Sequence, residues 1–277
     1  MRAVHLFLLA LLPALAAAGQ APAGKFTSGE CVSCHARHEP QLVAAWRASS
    51  HARQEPKADC VACHGASHAG AAVRARRDKA CTGCHEQQNR KVVHSYATSK
   101  HATIVKLQAD DWDWSRPLAR GYYRAPGCAY CHMNLGEHDT TRSVTRWAPY
   151  MSPSGPLHED TVSGQQTICG KCHAPRYILE QSETGTRMIE IARMKLREAR
   201  ALVESARGSL TAAERRQLDT QLAEMQVHAR NVRLGVGHQS PDYQWWHGQP
   251  ALDGDLLRIR GVIAEARRRS LPAATRR

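Results

Sequence analysis

The chain has 277 residues, a formal net charge of +13 and only 5% aromatic residues. So few rings, with Phe7 and Phe26 the only phenylalanines, argue against a core built from protein side chains alone. The basic balance suits a nucleic-acid or acidic-surface binder, but no nucleic-acid motif accompanies it, and a cofactor that brings its own carboxylates would offset it.

In chain order, the first element is an apolar run from Leu6 to Ala18 behind Arg2, ending in three alanines. A basic start, a short apolar middle and a small-residue end predict a secretory signal over 1–18, cleaved near Ala18. The run falls short of the roughly 20 residues a membrane span needs, so a soluble, periplasmic product is expected.

Next come five copies of one pattern, C-x-x-C-H, at Cys31–His35, Cys60–His64, Cys81–His85, Cys128–His132 and Cys169–His173. All ten cysteines are used: Cys31, Cys34, Cys60, Cys63, Cys81, Cys84, Cys128, Cys131, Cys169 and Cys172. This spacing is the attachment sequence for c-type haem. Two thiols one short turn apart add across the two vinyl groups of a porphyrin, and the histidine that follows reaches the iron as axial ligand. The motif histidines are His35, His64, His85, His132 and His173. Redox disulfides and zinc sites also use C-x-x-C pairs, but neither needs a histidine after every pair. Five covalently attached haem c groups are therefore predicted. Their propionates would pair with many of the arginines, and their bulk would supply the missing apolar core.

Successive first cysteines are 29, 21, 47 and 41 residues apart, too uneven for a simple tandem array. Local texture does recur: Ser49-Ser50-His51-Ala52 resembles Ser99-Lys100-His101-Ala102. Between Asp110 and Gly127 lie Trp112, Trp114, Tyr122 and Tyr123, expected to pack on haem faces. Residues 147–164, with Pro149, Pro153 and Pro156, read as an irregular loop.

Beyond the last motif the pattern turns helical. Residues 183–207 place Met188, Ile191, Met194 or Ala192, Leu202 and Val203 at helical spacing. Gly208 and Ser209 break it, and Thr211 with Glu214 forms a capping box. A second helix runs to about Leu234 and stops at Gly235 and Gly237. A third begins near Asp255 and frays into Arg267-Arg268-Arg269. The predicted fold is mainly α: a loop-rich multihaem core over 19–180, and a C-terminal antiparallel helical hairpin within 181–277 that packs on it.

Besides the motif histidines and His5, ten remain: His38, His51, His68, His94, His101, His138, His158, His228, His238 and His247. Bis-histidine irons would use up to five. His51, His68, His101, His138 and His238 are the chosen distal ligands, because each lies in a short polar or glycine-containing segment that can bend toward an iron. His228 is the closest rival, and Met133 or Met151 are the methionine alternatives.

Three stretches carry a family resemblance: residues 31–52 leading to C-V-A-C-H-G (60–65); S-Y-A-T-S-K-H (95–101) with C-A-Y-C-H-M (128–133) and G-E-H-D (136–139); and H-Q-S-P-D-Y-Q-W-W-H-G (238–248). With them the chain resembles the hydroxylamine oxidoreductase family of multihaem cytochromes and the related tetrahaem cytochromes of ammonia oxidisers. That family's enzymes carry eight haems, and here the middle, where its catalytic haem resides, looks shortened. A second alignment keeps the last five haems, as in pentahaem nitrite reductases, and would make the haem on Cys31 and Cys34 the open one. His35 stands against it, where those reductases often have lysine. The resemblance implies redox partner proteins, quinol-linked or other periplasmic cytochromes, no nucleic acid, membrane association only through a partner, and a trimer. Two functions stand open. One is electron transfer through six-coordinate haems, which is favoured. The alternative is nitrogen-compound redox, either hydroxylamine oxidation or nitrite or hydroxylamine reduction, at one open iron.

Overall fold

The computed structural model describes residues 22–147 and 168–271. The apolar N-terminal run and most of the proline-rich stretch lie outside the described residues. Described residues form helices joined by short turns, and the only β pairing among them is an isolated bridge between Lys25 and Ser67. No helix among them is long and apolar enough to cross a membrane.

The first half is built from short helices that each carry one piece of a site. They are α1 (Ser28–His38), α2 (Pro40–Ala48), α3 (Ser50–Arg53), α4 (Cys60–His64), α5 (Ala71–Arg76), α6 (Lys79–Gln88), α7 (Arg90–Ala97), α8 (Lys100–Gln108), α9 (Cys128–His132) and α10 (Thr140–Trp147). Each of the first four motifs sits on a helical turn, which brings both thiols and the histidine to one side; the fifth, Cys169–Lys171, is a 3-10 turn. Capping supplies several starts. Thr27 and Glu30 close a capping box on α1, and Asp59 accepts from Ala62 N (2.9 Å) on α4.

These helices repeat. Helices α1–α3 and α6–α8 correspond at an offset of 50 residues, so Cys31, His35, Glu39, Ser49 and His51 match Cys81, His85, Asn89, Ser99 and His101. Glu39 and Asn89 share one backbone conformation (φ −141, ψ 60 and φ −146, ψ 58), which kinks the chain into the second helix. Ser49 and Ser99 are both buried N-cap residues with extended backbone. They stop the second helix and place His51 and His101 at the second position of the third. Trp46 Nε1 donates to Ala58 O (3.1 Å), and Tyr96 Oη donates to Pro126 O (3.0 Å). Each ring thus pins the carbonyl two residues before the next motif. The uneven motif spacing hides this repeat because the linkers to the second motif differ in length.

The second half is a helical bundle: α11 (Pro175–Ala206), α12 (Ala212–Gly237), α13 (Pro241–His247) and α14 (Gln249–Ser270). Helices α11, α12 and α14 pack pairwise around Ile189, Ala192, Ala199, Val203, Leu218, Met225, Val232, Leu252, Ile259 and Ile263. The three- and four-residue spacing of these positions gives each helix one apolar stripe. The expected hairpin is therefore two sides of a three-helix bundle, and three details differ. Helix α11 starts at Pro175, a favoured first-turn proline, and passes unbroken through 180–181. Its buried stripe uses Ile189 and Ala192, while Ile191 and Met194 are exposed, because two partner helices rotate the buried face. Helix α14 starts at Gln249, not near Asp255. Asp255 is fully buried, holding His228 Nδ1 (2.7 Å) and Arg258.

Helix α12 also runs past Leu234, through Gly235 and Gly237. It ends in a Schellman motif, with Ser240 N bonding Gly235 O (2.8 Å) and Gln239 N bonding Val236 O (3.1 Å). Gln239 takes the left-handed position (φ 53) that glycine usually fills. Gly235 instead permits close approach of α13: a Cβ there would lie 3.0 Å from Gln244 N and 3.1 Å from Ser240 O. Gly185 makes the matching contact on α11, where a Cβ would come within 2.6 Å of Val236 Cγ1. Gly185→Ala is expected to cost about 1–3 kcal/mol by overpacking, seen as a lower midpoint in thermal or denaturant unfolding. An unchanged midpoint would show that the two helices separate freely.

The aromatic insert packs on itself. Trp112, Trp114 and Tyr123 lie 5.2–5.6 Å apart, and Tyr123 Oη donates to Arg116 O (2.8 Å). None of its rings lines the central cavity. This corrects the expectation of packing on haem faces.

Candidate haem-binding cavity

One continuous cavity of about 1860 Å³ runs through the chain, and all ten cysteines line it. It exceeds the roughly 300–1,000 Å³ of an ordinary small-molecule pocket. None of the cysteines is in a disulfide. Among the described residues no three His, Cys, Asp or Glu side chains converge as a protein-only metal centre would require.

The histidines come in pairs instead. Every motif histidine faces one other imidazole across the cavity: His35 faces His68, His64 faces His138, His85 faces His51, His132 faces His238 and His173 faces His101. Ring centroids are 6.4, 6.2, 6.0, 6.4 and 6.1 Å apart in that order. With an imidazole nitrogen about 2.0–2.1 Å from a bound transition metal, two rings on opposite sides of one ion would have centroids about 6.3 Å apart. The gaps are the size of a metal, too wide for direct ring packing and too narrow for a bridging side chain.

Hydrogen bonding sets the tautomer in four of these rings. His64 Nδ1 lies 3.3 Å from Ala71 O and His138 Nδ1 lies 2.7 Å from Gly136 O. A carbonyl only accepts, so Nδ1 carries the proton and the Nε2 lone pair stays free. His35 Nδ1 does the same to the Glu39 carboxylate at 3.0 Å. Ser95 Oγ gives its hydrogen to Val92 O (2.8 Å), so it accepts from His238 Nδ1 (2.7 Å). These are the outer contacts that orient metal-ligating histidines. Burial acts in the same direction. It pushes His132 and His238 down to about 4, and it lowers His51, His64 and His101 as well, so these imidazoles are neutral at pH 7. Neutral imidazole is the form that binds metal. The Tyr130 hydroxyl is buried without a partner and lines the cavity, a donor that a cofactor carboxylate would satisfy. The residues present therefore fit haem.

Neighbouring motifs touch in sequence order. Burial raises Cys60 with Cys31 beside it, and pushes Cys63 up to about 11 with Cys81 and Cys84 beside it. Cys81 lies beside Cys128, and Cys131 lies beside Cys169 and Cys172. The five sites thus form a contiguous series.

Among the described arginines, Arg76 lines the cavity, joined by Lys57 and Lys100. His228 is tied to Asp255 and does not line the cavity. The 241–247 segment does not line it either: Tyr243 packs between His94 and His247 (5.5 and 4.8 Å), while Trp245 and Trp246 are exposed. His38 and Met133 line the cavity; His158 and Met151 lie outside the described residues. The 50-residue correspondence was the missed signal: aligning the two Ser-x-His elements with the motifs before them shows how His51 and His101 are presented.

The family described as "Seven times multi-haem cytochrome CxxCH" matches residues 32–213. The chain belongs to this multihaem cytochrome family. Members attach haem c covalently at the motifs described above. A curated relative, a probable nitrite reductase-hydroxylamine oxidoreductase fusion protein of Kuenenia stuttgartiensis, is 35% identical over 81 residues. That match takes in 28% of this cytochrome and 10% of the relative, so the chain spans a small part of that protein's length. Among solved structures, a chain of the Kuenenia stuttgartiensis reducing HAO-like protein complex superposes with a TM-score of 0.56 at 18% identity. The superposition covers 88% of this cytochrome and 86% of that chain. It establishes a shared mainly-α multihaem fold.

Proposed function

We propose that the protein is a periplasmic pentahaem cytochrome that relays electrons through bis-histidine haems and hands them to other redox proteins. The observation that carries this is that none of the five motif histidines lacks an opposing imidazole at metal-spanning distance. An enzyme acting on nitrogen compounds needs an iron with a free position, and all five positions are faced. Haem supplies the one-electron redox chemistry; the chain supplies the ligands, their tautomers and a contiguous setting. Neutral His132 and His238 offer their lone pairs to one metal across their site. Contact between successive motifs gives a short path from the first site to the fifth. The apolar run at 6–18 and the usual attachment of c-type haem outside the cytoplasm support the periplasmic location.

The mature protein is expected to show five haem additions by mass, no free thiol and a wholly low-spin ferric spectrum. The paired rings also differ in tilt: 11° and 16° at the first two sites, 66°, 46° and 46° at the third to fifth in order along the chain. Parallel ring planes split the iron d orbitals most strongly, so two of the five ferric centres are expected to give rhombic electron paramagnetic resonance signals. Four or fewer haems in fully matured protein, or a resting high-spin signal near one haem in five, would overturn the assignment.

A further inference from the structure

We propose that His68 is an exchangeable ligand, and that the first haem site, on Cys31, Cys34 and His35, takes a small neutral diatomic such as carbon monoxide or nitric oxide in its place when reduced. The proposal rests on the bis-histidine reading above, and it gives one site a second capacity.

The internal repeat sets the contrast. At the third and fifth motifs the opposing imidazole comes from a helix of a repeat unit, His51 on α3 and His101 on α8. Both rings sit one residue inside a helix whose start is fixed by a buried serine, and both are partly buried. At the fourth motif His238 is partly buried and bonded to Ser95, and at the second His138 is bonded to Gly136 O. His35 faces none of these devices. Its partner His68 lies on the turn between Gly65 and Gly70, both with positive φ (74 and 71). His68 is exposed and belongs to no helix. The turn itself is held through its carbonyls: Arg74 donates to Ser67 O and to Ala69 O (3.0 Å), on either side of His68. The His68 ring has its stacked geometry with His35, at 6.4 Å, and no hydrogen bond to orient it. Rotating it about its own side-chain bonds into solvent breaks nothing else in the fold.

The other half of the site is also distinctive. His35 gives its Nδ1–H to a carboxylate, Glu39 at 3.0 Å. A carboxylate partner raises the donor strength of a metal-bound imidazole. Glu39 corresponds to Asn89 in the second unit, and His85 Nδ1 is buried without a partner. A strongly donating ring on one side and a weakly held ring on the other is the combination in which a π-accepting diatomic competes best with the second imidazole. His38 cannot replace His68, because it lies three residues beyond His35 on the same helix and so approaches from the same side.

The test uses fully haem-loaded protein and carbon monoxide. Reduced wild type is expected to bind it at about one haem in five, slowly, because His68 must first leave. His68→Ala should bind at the same single haem without delay, and its ferric form should lose one of the two rhombic signals. Glu39→Gln should weaken carbon monoxide binding while leaving the haem count unchanged. The proposal falls if low-spin wild type binds no carbon monoxide, or if His68→Ala adds a second binding haem to one already present in wild type. A wild type that is high-spin before any carbon monoxide is added would instead sink the bis-histidine reading itself.

Discussion

Replacing His238 with alanine is expected to convert one haem in five from low-spin to high-spin without the loss of any haem. The attachment residues Cys128 and Cys131 and the motif histidine His132 are untouched, so the haem stays bound. What leaves is the imidazole that faces His132 across the cavity, at 6.4 Å. Three features make this position hard to refill. His238 ends α12 in a Schellman motif whose bonds to Gly235 and Val236 fix the backbone. Gly235 lets α13 close over it. The nearest histidine on α12, His228, is bound to the buried Asp255. The variant should therefore bind carbon monoxide at a haem the wild type keeps closed, in addition to the first site. Ser95→Ala should act in the same direction and more weakly, since it removes only the hydrogen bond that orients the ring. A His238→Ala protein that stays wholly low-spin would remove His238 from the ligand set.

How far the sequence reaches is clear at particular residues. The motifs are local chemistry, so a spacing of three residues is enough to find them. The capping box at Thr211 and Glu214 is equally local, and it stands with both bonds made. A mainly helical chain was legible for the same reason. The pairing of His85 with His51, 34 positions earlier, or of His132 with His238, 106 positions later, is not local. Such pairings depend on how helices stack around a cofactor that the sequence encodes only through its attachment points. Asp255 shows the same limit. Its charge reads as a helix-start residue, yet Gly248 and Pro250 start the helix earlier and the carboxylate is buried on His228 and Arg258. Trp245 and Trp246 look like porphyrin-packing residues by composition, but α13 turns them outward because Tyr243 takes the inner face.

The largest structural effect should come from withholding haem altogether. Among helices α1–α8, only Val43, Ala102 and Val105 are buried hydrophobic residues. These helices are 4–11 residues long, below the length at which a helix is stable by itself. Their remaining apolar surface faces the cavity of about 1860 Å³. Without the porphyrins that surface would lie against water, and three buried side chains offset too little of the cost of ordering these helices. The chain without haem therefore cannot keep this half folded. Helices α11, α12 and α14 differ, since Ile189, Leu218, Met225, Val232, Leu252 and Ile259 bury one another with no cofactor between them. Haem-free protein, made in a compartment that does not attach haem, is expected to keep helical signal only from about 185–266. Amide exchange should be protected there and fast across 28–108. Slow exchange across 28–108 in the haem-free chain would mean that the short helices hold each other without the porphyrins, and that the cavity closes on itself.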